Sequence, residues 1–109
     1  MPTTVQLSRD TYPVEYRRRM VRTPHTEVEV ARGALLGLAL REARGTEPVR
    51  SVALRAGVAE ETVRKIERGA VPTPALFTVA AIAGAQGVSL DQLLQRIEAL
   101  GAEDPVAVA

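Results

Sequence analysis

Apolar residues along most of the chain recur at spacings of three and four, which places them on one face of an α-helix. The first such stretch ends at Gly45 and has the apolar positions Val28, Ala31, Leu35, Leu36, Leu40 and Ala43. Two starts fit this helix: Pro24 after Thr23, or a capping box formed by Thr26 and Glu29. The pattern therefore predicts one long helix with either start and a glycine stop.

Four shorter helices are predicted after it, each followed or closed by a glycine. They extend over residues 49–56, 59–68, 74–86 and 89–101. Thr73 and Pro74 open the third of these, and Ser89 caps the last. The last helix has a broad apolar stripe made of Leu90, Leu93, Leu94, Ile97 and Leu100. The expected fold class is all-α, with five helices.

The segment before the first helix has a weaker pattern. Val5 and Leu7 alternate with polar residues, which fits either one short strand or a flexible arm. Tyr12 and Tyr16 are expected to be core or interface rings rather than stacking platforms for bases. We therefore divide the chain into an N-terminal basic arm at 1–23, a helical domain at 24–101 and a loose C-terminal tail at 102–109.

Length and composition restrict the function classes. A chain of 109 residues fits one small domain. It has no Cys and only one His, His25, which excludes disulfides, a thiolate metal site and a histidine metal cluster. An enzyme is not expected, because there is no Cys nucleophile, His25 has no evident acidic partner at a defined spacing, and no glycine-rich phosphate loop follows a strand. No apolar stretch approaches the roughly 20 residues of a membrane span, so we expect a cytoplasmic protein without cofactor or metal.

The net charge of +1 conceals an uneven distribution. Residues 1–73 carry 13 basic and nine acidic side chains, whereas residues 74–109 carry one basic and four acidic side chains. All but one of the basic residues are Arg, whose planar fork suits phosphate and guanine edges, although a Lys-poor genome explains the same bias. The first two thirds of the chain are the part expected to attract a polyanion.

The two short helices at 49–56 and 59–68 have the spacing of a helix-turn-helix. Gly57 closes the first helix, and a connection of three residues leads into the second. Ala53 lies four residues before Gly57, where a small side chain lets the second helix approach. The positions that must be buried between two such helices are all apolar: Val52, Ala56, Val58, Val63 and Ile66.

At residues 33–100 the sequence resembles the Xre/Cro family of phage-repressor-like helix-turn-helix proteins. The matching motifs are Leu36-Gly37, Leu40-Arg41-Glu42, Ala53 with Gly57-Val58, Ile66-Glu67-Arg68-Gly69, and Gly87-Val88-Ser89-Leu90 before Leu93-Leu94. The resemblance implies a five-helix domain that lays its third helix in the DNA major groove, and a dimer that reads two-fold operators. The protein is thus expected to be a transcriptional regulator, most often a repressor in this family.

The resemblance also implies which side chains face double-stranded DNA. The positions that match base-facing or phosphate-facing residues of the family are Glu60, Glu61, Arg64 and Lys65. Arg64 can bind guanine through two hydrogen bonds, whereas Glu60 and Glu61 either accept from cytosine or brace Arg64. Thr62 is either a phosphate donor or a solvated residue. Arg68 is expected to point outward on the same helix and is a further candidate for DNA binding.

The family pairs an Arg of the first helix with the end of the recognition helix, and the matching residues are Arg41 and Glu67. Such a pair, if partly buried, keeps the recognition helix in place. The sequence departs from the family at the head of the second helix, where Val49 replaces a polar residue after a longer loop with Pro48. Basic residues are also missing at 70–73, so phosphate affinity must come from elsewhere.

The basic arm is one candidate source of that affinity. Its guanidinium groups can follow the phosphates or enter a narrow minor groove: Arg17, Arg18, Arg19 and Arg22. The alternatives are a solvated basic stretch, or arginines that pair with carboxylates within a dimer. For the homodimer itself, Ile97 and Leu100 are the expected interface, and residues 3–7 could pair across the two-fold axis. A second interpretation is the antitoxin of a toxin-antitoxin pair, which binds a toxin and also DNA.

Overall fold

Five α-helices joined by short connections make up the protein in the computed structural model, which describes residues 24–103. They are α1 (Glu27–Arg44), α2 (Val49–Ala56), α3 (Glu60–Glu67), α4 (Leu76–Ala85) and α5 (Leu90–Glu103). Between residues 24 and 103 there is no strand, so the all-α, five-helix prediction is confirmed. The predicted arm, the strand at its start and the end of the predicted tail lie outside the described residues.

The first helix begins at the second of its two predicted starts. The hydroxyl of Thr26 accepts a hydrogen bond from the Glu29 amide at 3.1 Å, and Glu29 Oε1 accepts one from the Thr26 amide at 2.8 Å. This capping box satisfies two amides that have no partner within the helix. The hydrogen bond from the Thr26 amide also holds the pKa of Glu29 below its ordinary value. At the other end, Gly45 closes α1 with a positive φ of 61°.

Two predicted helix boundaries were wrong by two residues. Helix α4 begins at Leu76 rather than Pro74, because Ala75 is still extended with ψ at 139°. Helix α5 runs through Gly101 to Glu103 instead of stopping at the glycine. Gly101 is buried, so its lack of a side chain serves close packing rather than a turn. Part of the predicted loose tail, residues 102 and 103, is therefore helical.

The core contains side chains from all five helices. Its largest enclosed members are Leu40, Val52, Val63, Ile66 and Ile82, each at most 2% exposed, and α5 contributes Leu93 at 3%. Helix α1 packs against α3 and α5, and α2 packs against α3 and α4. The apolar face of α3 thus packs against both α1 and α2. No helix between residues 24 and 103 is both long enough and apolar enough to cross a membrane.

A glycine brings α1 into direct contact with the end of α3. A Cβ on Gly37 would lie 2.5 Å from the carbonyl oxygen of Ile66 and closer still to that of Glu67. Real Cβ atoms are essentially never this close to a carbonyl oxygen. The backbones of the two helices therefore approach as closely as they do because residue 37 has no side chain.

Candidate nucleic-acid interface

The turn between α2 and α3 has the geometry that the sequence predicts. Gly57 adopts a left-handed conformation with φ at 72°, and the Val58 amide donates to the carbonyl of Ala53 at 3.1 Å. Ala53 is 2% exposed, and its small side chain allows α3 to pack closely against α2. Of the positions predicted to be buried, Val52, Val63 and Ile66 are enclosed, and Ala56 and Val58 pack against the same core.

The polar side of α3 faces outward and holds the residues that the sequence assigned to DNA. Its inward side is anchored by Val63 and Ile66. Glu60 and Thr62 are half-buried. The exposed residues on or just after the helix are Glu61, Arg64, Lys65 and Arg68. One short helix therefore presents two carboxylates, one hydroxyl and three cationic groups next to each other.

Ion pairs connect these charged groups along the outer face of α3. Arg64 Nη1 donates to Glu60 Oε2 at 3.1 Å, one helical turn away. Arg68 Nη2 lies 3.4 Å from Glu61 Oε1. All four side chains are more than 40% exposed, so water screens both pairs and each contributes little to stability. Glu60 thus braces Arg64 while leaving its remaining donors open to solvent.

Comparison with known proteins agrees with this geometry. A family model for helix-turn-helix domains matches residues 38–93, slightly more than half of the chain. The chain belongs to the Xre/Cro-like helix-turn-helix family. Proteins of this family carry a phage-repressor-like, all-α DNA-binding domain, and α3 is at the position of the recognition helix. A search of curated proteins found no match.

In this helix-turn-helix domain the predicted partner of Glu67 was wrong. Glu67 pairs with Arg44, not with Arg41, through hydrogen bonds of 2.7 Å from Nε and 2.9 Å from Nη2. The third nitrogen of Arg44 donates to the carbonyl of Glu47 at 2.8 Å. The Arg44 and Glu67 side chains are only 17% and 8% exposed, and the pair raises the pKa of Arg44. Arg41, one turn earlier in α1, is exposed.

The physical reason for this correction lies in the loop after α1. Arg41 and Arg44 are three residues apart near the end of α1, so both lie on similar faces and helical spacing does not distinguish them. The loop brings the Glu47 carbonyl to Arg44. This carbonyl accepts a hydrogen bond from an Arg44 donor that burial would otherwise leave without a partner. A carbonyl acceptor supplied by a loop has no signature in the sequence.

A further exposed arginine, Arg50, lies beside the recognition helix and was missed by the sequence analysis. It follows Val49 in the first turn of α2, and its side chain is 79% exposed. Its Nε lies 3.9 Å from Glu60 Oε1. The sequence offered only a partial signal, because Arg50 is the neighbour of the position where the resemblance leads us to expect a polar residue, and its distance from Glu60 depends on how α2 and α3 pack.

Other arginines of the helix-turn-helix domain serve its structure. Arg55, on the same helix as Arg50, donates to the Ala85 carbonyl from Nε at 3.1 Å and from Nη2 at 2.8 Å, and pairs with Glu47. Arg96 donates to Glu42 at 2.7 and 3.1 Å and so connects α5 to α1. The arginine partners lower the pKa of Glu47 and of Glu42. These guanidinium groups connect helices to each other.

The remaining predicted site residues fall into two groups. Ile97 and Leu100 are half-buried on α5 and pack partly against the core of their own domain. Their role as a dimer interface stays a prediction. The arginines of the arm, at 17–19 and 22, lie outside the described residues. In residues 24–103, no group of three or more acidic, His or Cys side chains is arranged to hold a metal ion.

Proposed function

We propose that this protein is a dimeric, sequence-specific transcriptional repressor that reads a two-fold operator through α3. The observation that carries the proposal is the division of α3 into two sides. Val63 and Ile66 anchor one side in the core, and the other presents exposed Arg64, Lys65 and Arg68. A regulator of this kind acts in the cytoplasm, without a cofactor and without enzymatic activity.

Arg64 is the central base-reading residue of this proposal. Its guanidinium is 48% exposed and is held by one hydrogen bond to Glu60, so most of its five donors are available. A guanidinium in the major groove can donate to both O6 and N7 of guanine. Lys65, Arg68 and the hydroxyl of Thr62 would bind nearby phosphates. The arm arginines at 17–19 and 22 would add sequence-independent phosphate contacts.

The dimer is proposed because one recognition helix contacts too few bases for an operator to be read specifically. An open apolar groove of about 1080 Å³ lies between α1, α4 and α5. Leu76, Leu90 and Leu94 line it, and they are 63%, 36% and 61% exposed. Ile97 also lines the groove, whereas Leu100, the other residue predicted for the interface, does not. A second copy of this chain would cover these side chains.

Charges at the groove edge favour a second copy as the occupant. Arg32 and Glu98 are the two charged residues that line the groove, and within residues 24–103 they form no ion pair with each other. In a two-fold dimer the same patch meets itself, so Arg32 of each protomer can meet Glu98 of the other. The arrangement is thus complementary to itself.

Arg64→Ala tests the reading of DNA. Operators are first obtained by selecting bound sequences from random duplexes. We expect the variant to lose affinity for the selected operator and to lose preference at one base pair, by about 1–3 kcal/mol of discrimination. Arg96→Ala, on a distant helix, is the control and should keep the wild-type preference. Unchanged operator binding by Arg64→Ala would show that α3 is not the reading helix.

Leu94→Glu tests the dimer. The charge would face the groove, so we expect a monomer by analytical ultracentrifugation where the wild type is a dimer, and weaker binding to the two-fold operator. Leu54→Glu is the matched control, because Leu54 is 73% exposed and does not line the groove. A dimer that survives Leu94→Glu contradicts this interface. A chain that is soluble only with a neighbouring gene product would instead favour the antitoxin interpretation.

A further inference from the structure

The carboxylate of Glu60 lies between two guanidinium groups that come from different helices. Its Oε2 accepts from Arg64 Nη1 at 3.1 Å, within α3. Its Oε1 is 3.9 Å from Arg50 Nε, in the first turn of α2. The second distance is an ion pair but too long for a hydrogen bond. Within residues 24–103, Glu60 is thus the point where the charges of the two helices of the motif meet.

Arg50 differs from the other arginine of its helix in what its donors do. Arg55 gives its donors to the Ala85 carbonyl and to Glu47, and so has a structural role. Arg50 makes no hydrogen bond to residues 24–103, and its side chain is 79% exposed. An arginine loses side-chain freedom when it is held in place. Arg50 therefore keeps more of that freedom, and none of its five donors is used in a hydrogen bond to residues 24–103.

Glu60 suits the dipole of α3 because it lies in the first turn, but it is unfavourable for the binding of DNA. A carboxylate at the start of a recognition helix repels the phosphate backbone. The start of α2 offers little to offset that repulsion, because Pro48 has no amide hydrogen and Val49 has an apolar side chain. A cation beside Glu60 removes the net repulsion, and Arg50 is in that position.

We propose that Arg50 binds a DNA phosphate and that Glu60, lying between Arg50 and Arg64, positions Arg64 for guanine. This inference rests on the function proposed above. Without Glu60, Arg64 can turn toward the nearest phosphate, where it binds any sequence. With Glu60, one side of the Arg64 guanidinium is held, and its other donors face the base edges. Glu60 therefore lowers the affinity for unspecific DNA and raises the preference for the operator.

The first test compares Arg50→Ala with Arg96→Ala on the selected operator and on a scrambled duplex, over a range of salt concentrations. A phosphate contact carries no sequence information, so Arg50→Ala should weaken both duplexes by the same factor. The slope of log affinity against log salt should become smaller by about 1. Arg96→Ala should keep the wild-type slope. Equal slopes for Arg50→Ala and wild type would overturn the phosphate contact.

The second test uses Glu60→Gln, which keeps the size of the side chain and removes its charge. We expect tighter binding to the scrambled duplex and a ratio of operator to scrambled affinity that falls roughly tenfold. The decisive measurement repeats the substitution in an Arg64→Ala background. A residue that acts by positioning Arg64 should then leave the ratio unchanged. A tenfold loss in both backgrounds would mean that Glu60 contacts a base itself, and would overturn the inference.

These outcomes separate the inference from the function on which it rests. A folded wild-type dimer that selects no duplex sequence contradicts the proposed function. A wild type that selects an operator, with Arg50→Ala equal to Arg96→Ala, contradicts only the inference. Circular dichroism of each variant checks the fold, and Arg50→Gln replaces Arg50→Ala if the alanine variant is unfolded.

Discussion

The two ends of α3 use the same pair of chemical groups in opposite ways. Glu67, at the last residue of α3, forms two hydrogen bonds to Arg44 with side chains that are 8% and 17% exposed. Glu60, at the first residue, forms one hydrogen bond to Arg64 with side chains that are 41% and 48% exposed. The difference is burial, and it separates an arginine that holds the helix from an arginine that is available to a ligand.

Solvation explains why burial has this effect. Water solvates and screens an exposed ion pair, so that the net contribution to stability is about 0–1 kcal/mol. A mostly buried pair loses that solvation, and each partner then depends on the other. The buried end of α3 is therefore fixed to α1 and the connecting loop. Its exposed end can exchange partners without loosening the fold.

The largest expected effect is from Glu67→Ala, which removes the partner of a mostly buried guanidinium. We expect a loss on the order of 3 kcal/mol in the free energy of unfolding, measured with urea. Glu60→Ala, at the other end of the same helix, should stay within about 0.5 kcal/mol of wild type. Similar losses for both variants would remove the distinction between the two ends.

The same experiment on α1 checks which arginine anchors the helix. Arg44→Ala should lose stability to a degree comparable with Glu67→Ala, because Glu67 then loses both of its hydrogen bonds. Arg41→Ala should have little effect, since Arg41 is exposed. A larger loss of stability for Arg41→Ala than for Arg44→Ala would contradict the pairing of Arg44 with Glu67.

The next effect concerns the close approach that brings the buried end of α3 to α1. Gly37→Ala places a methyl group against the carbonyls of Ile66 and Glu67, so we expect a loss of about 1–3 kcal/mol. Gly84→Ala is the control, because a Cβ there has no atom within 4 Å. That variant should gain roughly 0.5–1 kcal/mol from the helix preference of alanine. Thermal unfolding measures the expected loss in one variant and the expected gain in the other. An unchanged stability of Gly37→Ala would contradict the tight contact.

The smallest effect on stability is expected from exposed ion pairs such as those that Glu60 and Glu47 form. The dependence of the melting temperature on pH measures it. The Arg55 guanidinium holds the pKa of Glu47 below its ordinary value. Above about pH 5, Glu47 is ionised in both the folded and the unfolded protein, and its pair with Arg55 stabilises the fold in full. As the pH falls through the ordinary Glu pKa of about 4.3, the unfolded state binds its proton first and the stabilisation is lost. Acidification should therefore lower the melting temperature slightly less for Glu47→Gln than for wild type.

Most helix starts and stops could be predicted because they depend on residues close together in sequence. Thr26 and Glu29 form their capping box, and Ser89 and Gln92 form the same reciprocal hydrogen bonds at the start of α5. The errors occurred where packing overrides the local signal. Gly101 is an example, because a buried glycine inside a helix has the same sequence signature as a glycine that ends one.

The candidate site divides in a similar way. The outward face of α3 followed from helical spacing, since residues three and four apart share a face. Arg50 was not recognised, because its relation to Glu60 depends on how α2 and α3 pack across the turn. Which charged groups are exposed enough to meet DNA depends on that packing as well.

By itself, the order of amino acids determined the five helices, the glycine turn at residue 57 and membership of a DNA-binding family, because backbone preference and apolar periodicity act over a few residues. Only the tertiary structure decided that Arg44 rather than Arg41 holds Glu67, and that Glu60 lies between two arginines. Loss of water from a charged side chain depends on every helix packed around it, and adjacent turns of one helix can differ in this respect.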